Sequence, residues 1–391
     1  MQYRKFGKTG WKVSALGFGC MRFPTLDGKP MSSKILVEKS SRMVLTAIDN
    51  GVNYLDTAYG YHGGRSEKFL GKILEDGYRE RVRLATKSPV WLIEKPRDFD
   101  KYLDEQLKRL RTDHVDFYLF HGLNGRVWKD TVLKHRLLER AEVAIDDRRI
   151  GAIGFSFHDD FKAFKTIVDG YDHWGLCQIQ YNYMDIENQA GTRGLRYAAS
   201  MGLPVVVMEP LLGGRLATPP ESIRRVIRTR KNVASPADLA LKWIWNQPEV
   251  SVILSGMSTM QQVRGNLRSA ESSGVGSLAR TDQALIQRIR KTYEMMVPIP
   301  CTKCGYCMPC PHGVNIPTNF EEYNNGFIHR DLKGARMEYT RFTKKKARAS
   351  ACVQCGDCEK KCPQKIPISR WMPEVHAVLG EGKRFTGIRE D

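Results

Sequence analysis

The stretch Asn53-Tyr-Leu-Asp56-Thr-Ala-Tyr-Gly-Tyr61-His-Gly-Gly-Arg-Ser-Glu67 begins as an apolar strand, ends it on a carboxylate and places a phenol shortly after. An acid at the carboxyl end of a buried parallel strand is costly unless it is paired or used. Two partners follow in the chain. Val82-Arg-Leu-Ala-Thr-Lys87 is a second short strand ending in a lysine, and Val115-Asp-Phe-Tyr-Leu-Phe-His121 is a third ending in a histidine. As consecutive parallel strands of one barrel they bring Asp56, Lys87, His121 and the Tyr61 phenol to its mouth.

Those four residue types suit proton transfer to a carbonyl. A tyrosine with a pKa near ~10 is a reluctant donor at neutral pH, and a neighbouring ammonium lowers that value by favouring the phenolate. Lys87 supplies the ammonium, Asp56 keeps it charged, and a neutral His121 hydrogen-bonds a carbonyl oxygen to aim the carbon. Singly, Asp56 and Lys87 read as a structural ion pair, Tyr61 as a rim aromatic and His121 as a packed strand end. Their joint occurrence in this order favours a catalytic tetrad.

Strand and helix signals alternate outward from this stretch. Strands are expected over Val13–Met21, Asn53–Thr57, up to Lys87, up to His121, over Gly151–Phe157, Leu176–Tyr181, Pro204–Glu209 and Val250–Leu254. Amphipathic helices are expected over Lys34–Asn50, Ser66–Leu74 and Arg97–Leu110. Short, mostly apolar strands separated by helical stretches predict a closed parallel α/β barrel, the (β/α)8 TIM barrel, over residues 1–296.

The order and spacing of Asp56, Tyr61, Lys87 and His121 resemble the tetrad of the aldo-keto reductases. The resemblance runs from Tyr3-Arg-Lys-Phe-Gly-Lys-Thr-Gly10 to about Asn266. It implies an amino-terminal hairpin over the barrel floor, NADP(H) or NAD(H) as cofactor and a small carbonyl or alcohol substrate. It also implies cofactor contacts: Ser156 and Gln178 on the nicotinamide amide, Met208 where the family commonly stacks an aromatic ring, and Leu211 and Gly213 in the loop that follows. Phe157 follows Ser156 where the family has asparagine, which alters the nicotinamide pocket. Gly256-Met-Ser-Thr-Met-Gln-Gln-Val-Arg-Gly-Asn266 resembles the family's adenosine segment, with Gly256 at its start and Gln262 and Asn266 on ribose and adenine. Ser258 and Arg264 are assigned to a 2'-phosphate, aided by a helix amino end, which leans the expectation towards NADP; an exposed helical arginine is the equally weighted alternative for Arg264.

Eight of the 10 cysteines lie beyond residue 300. Val297-Pro-Ile-Pro300 reads as a stiff linker into residues 297–391. There stand Cys301-x2-Cys304-x2-Cys307-x2-Cys310-Pro and Cys352-x2-Cys355-x2-Cys358-x3-Cys362-Pro. The pattern resembles the bacterial two-cluster ferredoxins, in which the cysteine before proline crosses to the other cluster. The resemblance implies one [4Fe-4S] cluster on Cys301, Cys304, Cys307 and Cys362, and a second on Cys352, Cys355, Cys358 and Cys310. The first run is one residue short of the usual x3 spacing, and a helical insertion is expected around Asn319–Tyr339. Structural zinc sites take cysteines in pairs, and disulfides suit an oxidising compartment, so iron-sulfur is the favoured reading. Few large apolar residues flank the cysteines, so loss of metal is expected to unfold this domain. Cys20 and Cys177 read as inert core residues.

The formal net charge of +19 suits an anionic substrate or an acidic electron carrier such as a ferredoxin or flavodoxin. Scattered basic residues without a recognition motif argue against nucleic acid, and Thr343-Lys-Lys-Lys-Ala-Arg348 reads as a solvated run. No apolar run reaches membrane-spanning length and no signal peptide opens the chain, so a cytoplasmic location is expected. The leading expectation is an oxidoreductase interconverting carbonyl and alcohol and coupled to electron transfer through two clusters; a flavin between them has no motif. The alternative is an iron-sulfur electron-transfer protein whose barrel is a docking or regulatory platform. The loops Gly122–Asp130 and Met184–Gly191 carry no diagnostic substrate pattern.

Overall fold

A computed structural model describes the chain except residues 231, 232, 302, 304 and 386–391. It forms two compact units, residues 1–217 with 233–283, and residues 218–232 with 284–391. The division after 283 falls inside the helix Arg280–Met296.

The first unit opens with an antiparallel hairpin, β1 (Tyr3–Lys5) on β2 (Lys12–Ser14). Eight parallel strands then close a barrel: β3 (Leu16–Gly19), β4 (Tyr54–Asp56), β5 (Arg83–Ser88), β6 (Val115–Leu123), β7 (Ile150–Phe157), β8 (Leu176–Gln180), β9 (Val205–Met208) and β10 (Val250–Ser255). Neighbours follow chain order around the ring, and β10 pairs with β3 to close it. Strands buried on both faces need apolar residues at nearly every position, and β10 is buried throughout.

Two expected strands change shape. The single strand expected over Val13–Met21 divides at Ala15, where pairing passes from the hairpin to the barrel: the Ala15 amide donates to Gln2 O at 2.8 Å and the Ala15 carbonyl accepts from the Ile253 amide at 3.0 Å. The Ser14 amide donates to Asn53 Oδ1 at 2.8 Å, and Ser14 Oγ donates to Leu16 O at 2.7 Å. Strand β6 continues past His121 to Leu123, and its register with β7 shifts between Phe120 and Leu123. His121 therefore sits on an irregular step of the ladder, a place where strands re-aim side chains.

Helices coat the barrel with one apolar face each. Val37–Asp49 turns Met43, Val44, Ala47 and Ile48 inward. The helix Met260–Glu271 begins with a capping box between Thr259 and Gln262. Inside the barrel, Phe6 of the hairpin packs with Tyr54 and Phe117 at ring separations of 6.1 and 5.0 Å. Gly7 next to it has φ +55°, and a Cβ there would lie 2.6 Å from Pro204 Cγ, so glycine is required for the hairpin to seat.

The second unit has its own core, which corrects the expectation of few apolar residues. Ile299, Val314, Ile316, Phe320, Tyr323, Met372, Val375 and Val378 are among its buried members. The expected insertion is two helices, Ile316–Ile328 and Leu332–Arg341, and a third, Ile368–Leu379, packs on both. Among the described residues no helix is long and apolar enough to cross a membrane.

Candidate active site and cysteine centre

The ends of β4 and β5 meet through their side chains. Lys87 Nζ, buried to 1% exposure, donates to Asp56 Oδ1 at 2.7 Å, Oδ2 at 2.8 Å and the Thr57 carbonyl at 2.8 Å. Its remaining direction points to the Tyr61 hydroxyl at 3.4 Å. The Tyr61 and His121 rings stand edge to face at 6.0 Å. All four expected residues thus converge on one pocket. Trp91, which sequence reading did not single out, lies with its ring 5.1 Å from His121. Only the fold reveals it, because it sits in a turn after β5 and carries no motif.

Electrostatics fix the protonation states. Burial pulls the Lys87 ammonium down, but Asp56, with Tyr61, outweighs it and holds the pKa above the ordinary lysine value. Burial raises the Asp56 carboxyl, with Lys87 pulling the other way. Tyr61 departs from the expectation of a lowered pKa. Burial raises its phenol by more than the Lys87 charge lowers it, so the resting hydroxyl keeps its proton. Burial, with the nearby Lys87 charge, pushes His121 well below its usual value, so the imidazole is neutral. His121 Nδ1 is buried and has no hydrogen-bond partner, an orphaned polar atom beside Tyr61 and Trp91.

Behind Lys87 lies a buried polar network. Thr86 Oγ1 donates to Glu67 Oε1 at 2.7 Å, Arg109 Nη1 donates to Glu67 Oε2 at 3.0 Å, and Gln106 donates to the Lys87 carbonyl at 3.2 Å. These bonds hold the end of β5 in place.

The expected nucleotide contacts divide into those brought together and those not. Ser156 and Gln178 are paired across β7 and β8 beside the tetrad, and Ser156 Oγ accepts from the Gly122 amide at 2.8 Å. Gln178 Nε2 donates to Met208 Sδ at 3.6 Å, while its buried Oε1 has no partner. That oxygen fits an amide N–H of a bound nicotinamide. Leu211 and Gly213 lie in the turn after β9, with Gly213 at φ +66°. Arg22, absent from the sequence-based assignment, connects this turn to β10. A Cβ on Gly213 would lie 3.8 Å from its guanidinium, and one on Gly256 would lie 2.8 Å from its Cγ. Ser258 Oγ donates to the Arg22 carbonyl at 2.7 Å.

Gln262 Oε1 accepts from the Ser258 amide at 2.7 Å, and Asn266 Nδ2 donates to Ser255 Oγ at 2.9 Å. Arg264, two positions from each, points away from their face. It lines an outer groove with Met1, Thr46 and Asn50, so the helical period removes it from Ser258 and the loop turn.

In the second unit two cavities divide the cysteines in the crossed pattern. One is lined by Cys352, Cys355, Cys358 and Cys310 together with Cys307. The other is lined by Cys301, Cys307 and Cys362. Cys310 therefore reaches the second run's cavity despite its short spacing, and Cys362 reaches the first run's. Cys304 lies outside the described residues. The lining chemistry, thiols over an apolar floor that includes Ile316 and Ile368, fits iron-sulfur clusters.

Comparisons with known proteins agree with the barrel and with the iron-sulfur domain that follows it. The profile of the aldo/keto reductase family matches residues 15–275, and that of a 4Fe-4S dicluster domain matches residues 300–366. An uncharacterized oxidoreductase, YrpG, of Bacillus subtilis (strain 168) is 27% identical over 316 residues, covering 70% of this chain and 92% of that protein. A 6-dehydroglucose reductase of Novosphingobium aromaticivorans is 26% identical over 281 residues, covering 65% of this chain and 85% of its own length. Among solved structures, the thermostable aldo-keto reductase Tm1743, bound to the inhibitor epalrestat, superposes with a TM-score of 0.61 at 27% identity over 74% of this chain and 100% of its own. An eight-stranded barrel with Asp56, Lys87 and His121 at or near its strand ends, followed by a dicluster iron-sulfur domain, thus marks the chain as an oxidoreductase that belongs to the aldo/keto reductase family.

Proposed function

We propose that the barrel interconverts a small carbonyl compound and its alcohol with NAD(P)H, and that Tyr61 is the proton donor. The observation that carries this is the 3.4 Å approach of the Tyr61 hydroxyl to a buried lysine that Asp56 and the Thr57 carbonyl hold in place. Ser156, Gln178 and Met208 would hold a nicotinamide, which would supply hydride to the carbonyl carbon. His121 hydrogen-bonds the carbonyl oxygen and fixes the approach. As charge grows on that oxygen, Tyr61 gives up its proton, and the phenolate left behind is stabilised by Lys87. Arg22, with Leu211, Gly213 and Gly256, suits the nucleotide's phosphates; Ser258, Gln262 and Asn266 suit the adenosine end.

The resting phenol is too weak an acid to protonate a ground-state carbonyl, so its proton moves only with hydride transfer. Tyr61→Phe is expected to lower carbonyl reduction by about 10²- to 10⁴-fold with little change in nucleotide affinity. Steady-state kinetics alongside fluorescence titration with NADPH and NADH check both halves. Activity retained in the variant would remove Tyr61 from its role, and absence of nucleotide binding by the full holo-protein would favour the barrel as a docking platform.

The domain division at about 296/297 and the ligand sets are part of the same proposal: Cys301, Cys304, Cys307 and Cys362 hold one [4Fe-4S] cluster, and Cys352, Cys355, Cys358 and Cys310 the other. Held there, the clusters would supply single-electron exchange with an external acidic carrier, to which the charge of +19 is complementary. Anaerobic stopped-flow absorbance tests coupling to the barrel. Cluster bleaching after mixing with NAD(P)H, with or without carbonyl substrate, supports it, and unchanged cluster absorbance refutes it.

A further inference from the structure

Between Glu338 and Asp357 the chain carries Arg341, Lys344, Lys345, Lys346 and Arg348 and no acid. Sequence alone presents this run as solvated, but its backbone is held. The Asn315 amide and Asn319 Nδ2 both donate to the Ala347 carbonyl at 2.9 Å, and Asn319, fully buried, accepts through Oδ1 from the Ala349 amide at 2.7 Å. Arg348 folds back over the Tyr339 ring, donating through Nε to the Thr343 carbonyl at 2.9 Å and through Nη2 to the Thr340 carbonyl. Residues 343–348 are therefore a fixed strap. Arg348 shapes it, and the side chains of Lys344, Lys345 and Lys346 are left exposed.

The strap shares a wall with the thiol cavity of Cys310, Cys352, Cys355 and Cys358. His312, Val314 and Ile316 line that cavity, while Gly313 and Asn315 between them meet the strap. Gly313 has φ +80°, and a Cβ there would lie 3.3 Å from the Lys346 carbonyl oxygen, so glycine lets the strap lie close. At its other end the strap runs into the second cysteine run, where the Cys352 amide donates to the Ala349 carbonyl at 3.0 Å. Val353 and Cys355, both exposed, stand on the rim of the cavity. Phe342, 66% exposed with the Arg341 guanidinium 5.6 Å from its ring, precedes the lysines. Lys303 pairs with Glu321 at 2.5 Å and Lys360 with Asp357 at 3.0 Å. By contrast, among the described residues no carboxylate pairs with Lys344, Lys345 or Lys346.

We infer that Lys344, Lys345, Lys346 and Phe342 form the docking surface for a small acidic ferredoxin-type electron carrier. A backbone that is already fixed removes the cost of ordering a loop on binding. Three unpaired cations on it raise the encounter rate with a negatively charged protein, and Phe342 supplies an apolar anchor beside that charged rim. A [4Fe-4S] cluster on four thiolates brings a charge of about −2, which the three lysines with Arg341 exceed, so the face stays positive when the cavity is loaded. Contact with the wall of a thiol cavity favours a redox protein over a nucleic acid, which lysines alone also attract. The inference rests on the proposed electron exchange with an external carrier and adds the place where that carrier binds.

Binding of an acidic plant-type [2Fe-2S] ferredoxin to the full-length holo-protein, followed anaerobically by biolayer interferometry, tests this. For the wild type, affinity is expected to fall about tenfold or more between about 50 and about 500 mM salt. The variant Lys344→Glu/Lys345→Glu/Lys346→Glu is expected to weaken binding about tenfold or more at low salt, with iron content and cluster absorbance unchanged. Phe342→Ala is expected to weaken it about tenfold with the salt dependence retained. A control, Lys39→Glu/Lys68→Glu/Lys108→Glu, makes the same change in net charge at exposed positions of the barrel unit and is expected to leave affinity within about threefold of the wild type. Ferredoxin binding that the strap variant and Phe342→Ala leave unmoved, or that strap variant and control weaken equally, overturns the surface while the carrier reading stands. No ferredoxin binding by the wild type overturns both. Tighter binding of a single-stranded oligonucleotide than of ferredoxin assigns the strap to nucleic acid and overturns the inference.

Discussion

His121 shows how burial sets the working state of a single side chain. Its pKa lies well below the usual histidine value because the ring is desolvated, with the nearby Lys87 charge adding to the effect. The unfolded chain takes up this proton near pH ~6.5, while the folded protein refuses it until a lower pH. Stability is therefore lost as pH falls below about 6.5 through this window, by at most about 1.4 kcal/mol per pH unit from this residue. In His121→Gln the loss between pH 7.5 and 5.5 should be smaller than in the wild type. Urea denaturation at the two pH values measures it; an unchanged difference would mean that His121 is protonated in the fold. The identities of all four tetrad residues are legible in the sequence because each ends, or closely follows, an apolar strand. The resting state of Tyr61 is not, since it depends on how completely burial opposes Lys87. Arg264 and Arg22 carry the same lesson. The first is close in sequence to the nucleotide segment but faces away, and the second is remote in sequence but reaches Gly213 and Gly256.

The element that plugs the barrel is the hairpin of β1 and β2. Phe6, in the connection between them, is fully buried against Tyr54, Phe117 and Trp11. Phe6→Ala is expected to cost about 3–5 kcal/mol, the usual loss on emptying a large aromatic site that cannot collapse. Chemical denaturation should show this as a shift in midpoint with an unchanged slope; a loss below about 1 kcal/mol would mean that the hairpin does not seal the barrel. Strand positions are readable from apolar runs alone, because parallel strands buried on both faces leave few polar positions. The division at Ala15 and the extension of β6 past His121 are not, because they depend on the switch of backbone partners from Gln2 to Ile253 at Ala15 and on a register shift with β7.

At the scale of the whole molecule the two units have separate apolar cores, one around the barrel and one beneath the cysteines. The second core is hidden from a reading confined to the neighbourhood of the cysteines, since Phe320, Tyr323, Met372, Val375 and Val378 lie on helices away from the two runs. Removal of iron is therefore expected to leave most of the helical circular-dichroism signal of the second unit, with disorder confined to the cysteine loops. A cooperative loss of that signal on chelation would show that the clusters, and not the apolar core, hold the unit together.

In the proposed reaction, hydride passes directly to a carbonyl carbon beside Tyr61, Lys87 and His121. The most direct test is anaerobic single turnover of an aldehyde with NADPH, or NADH, deuterated at both positions of nicotinamide C4, followed by mass spectrometry of the alcohol. One deuterium on the carbinol carbon of each product molecule is the expected result. Alcohol formed without deuterium would contradict direct transfer and assign the reducing electrons to another route.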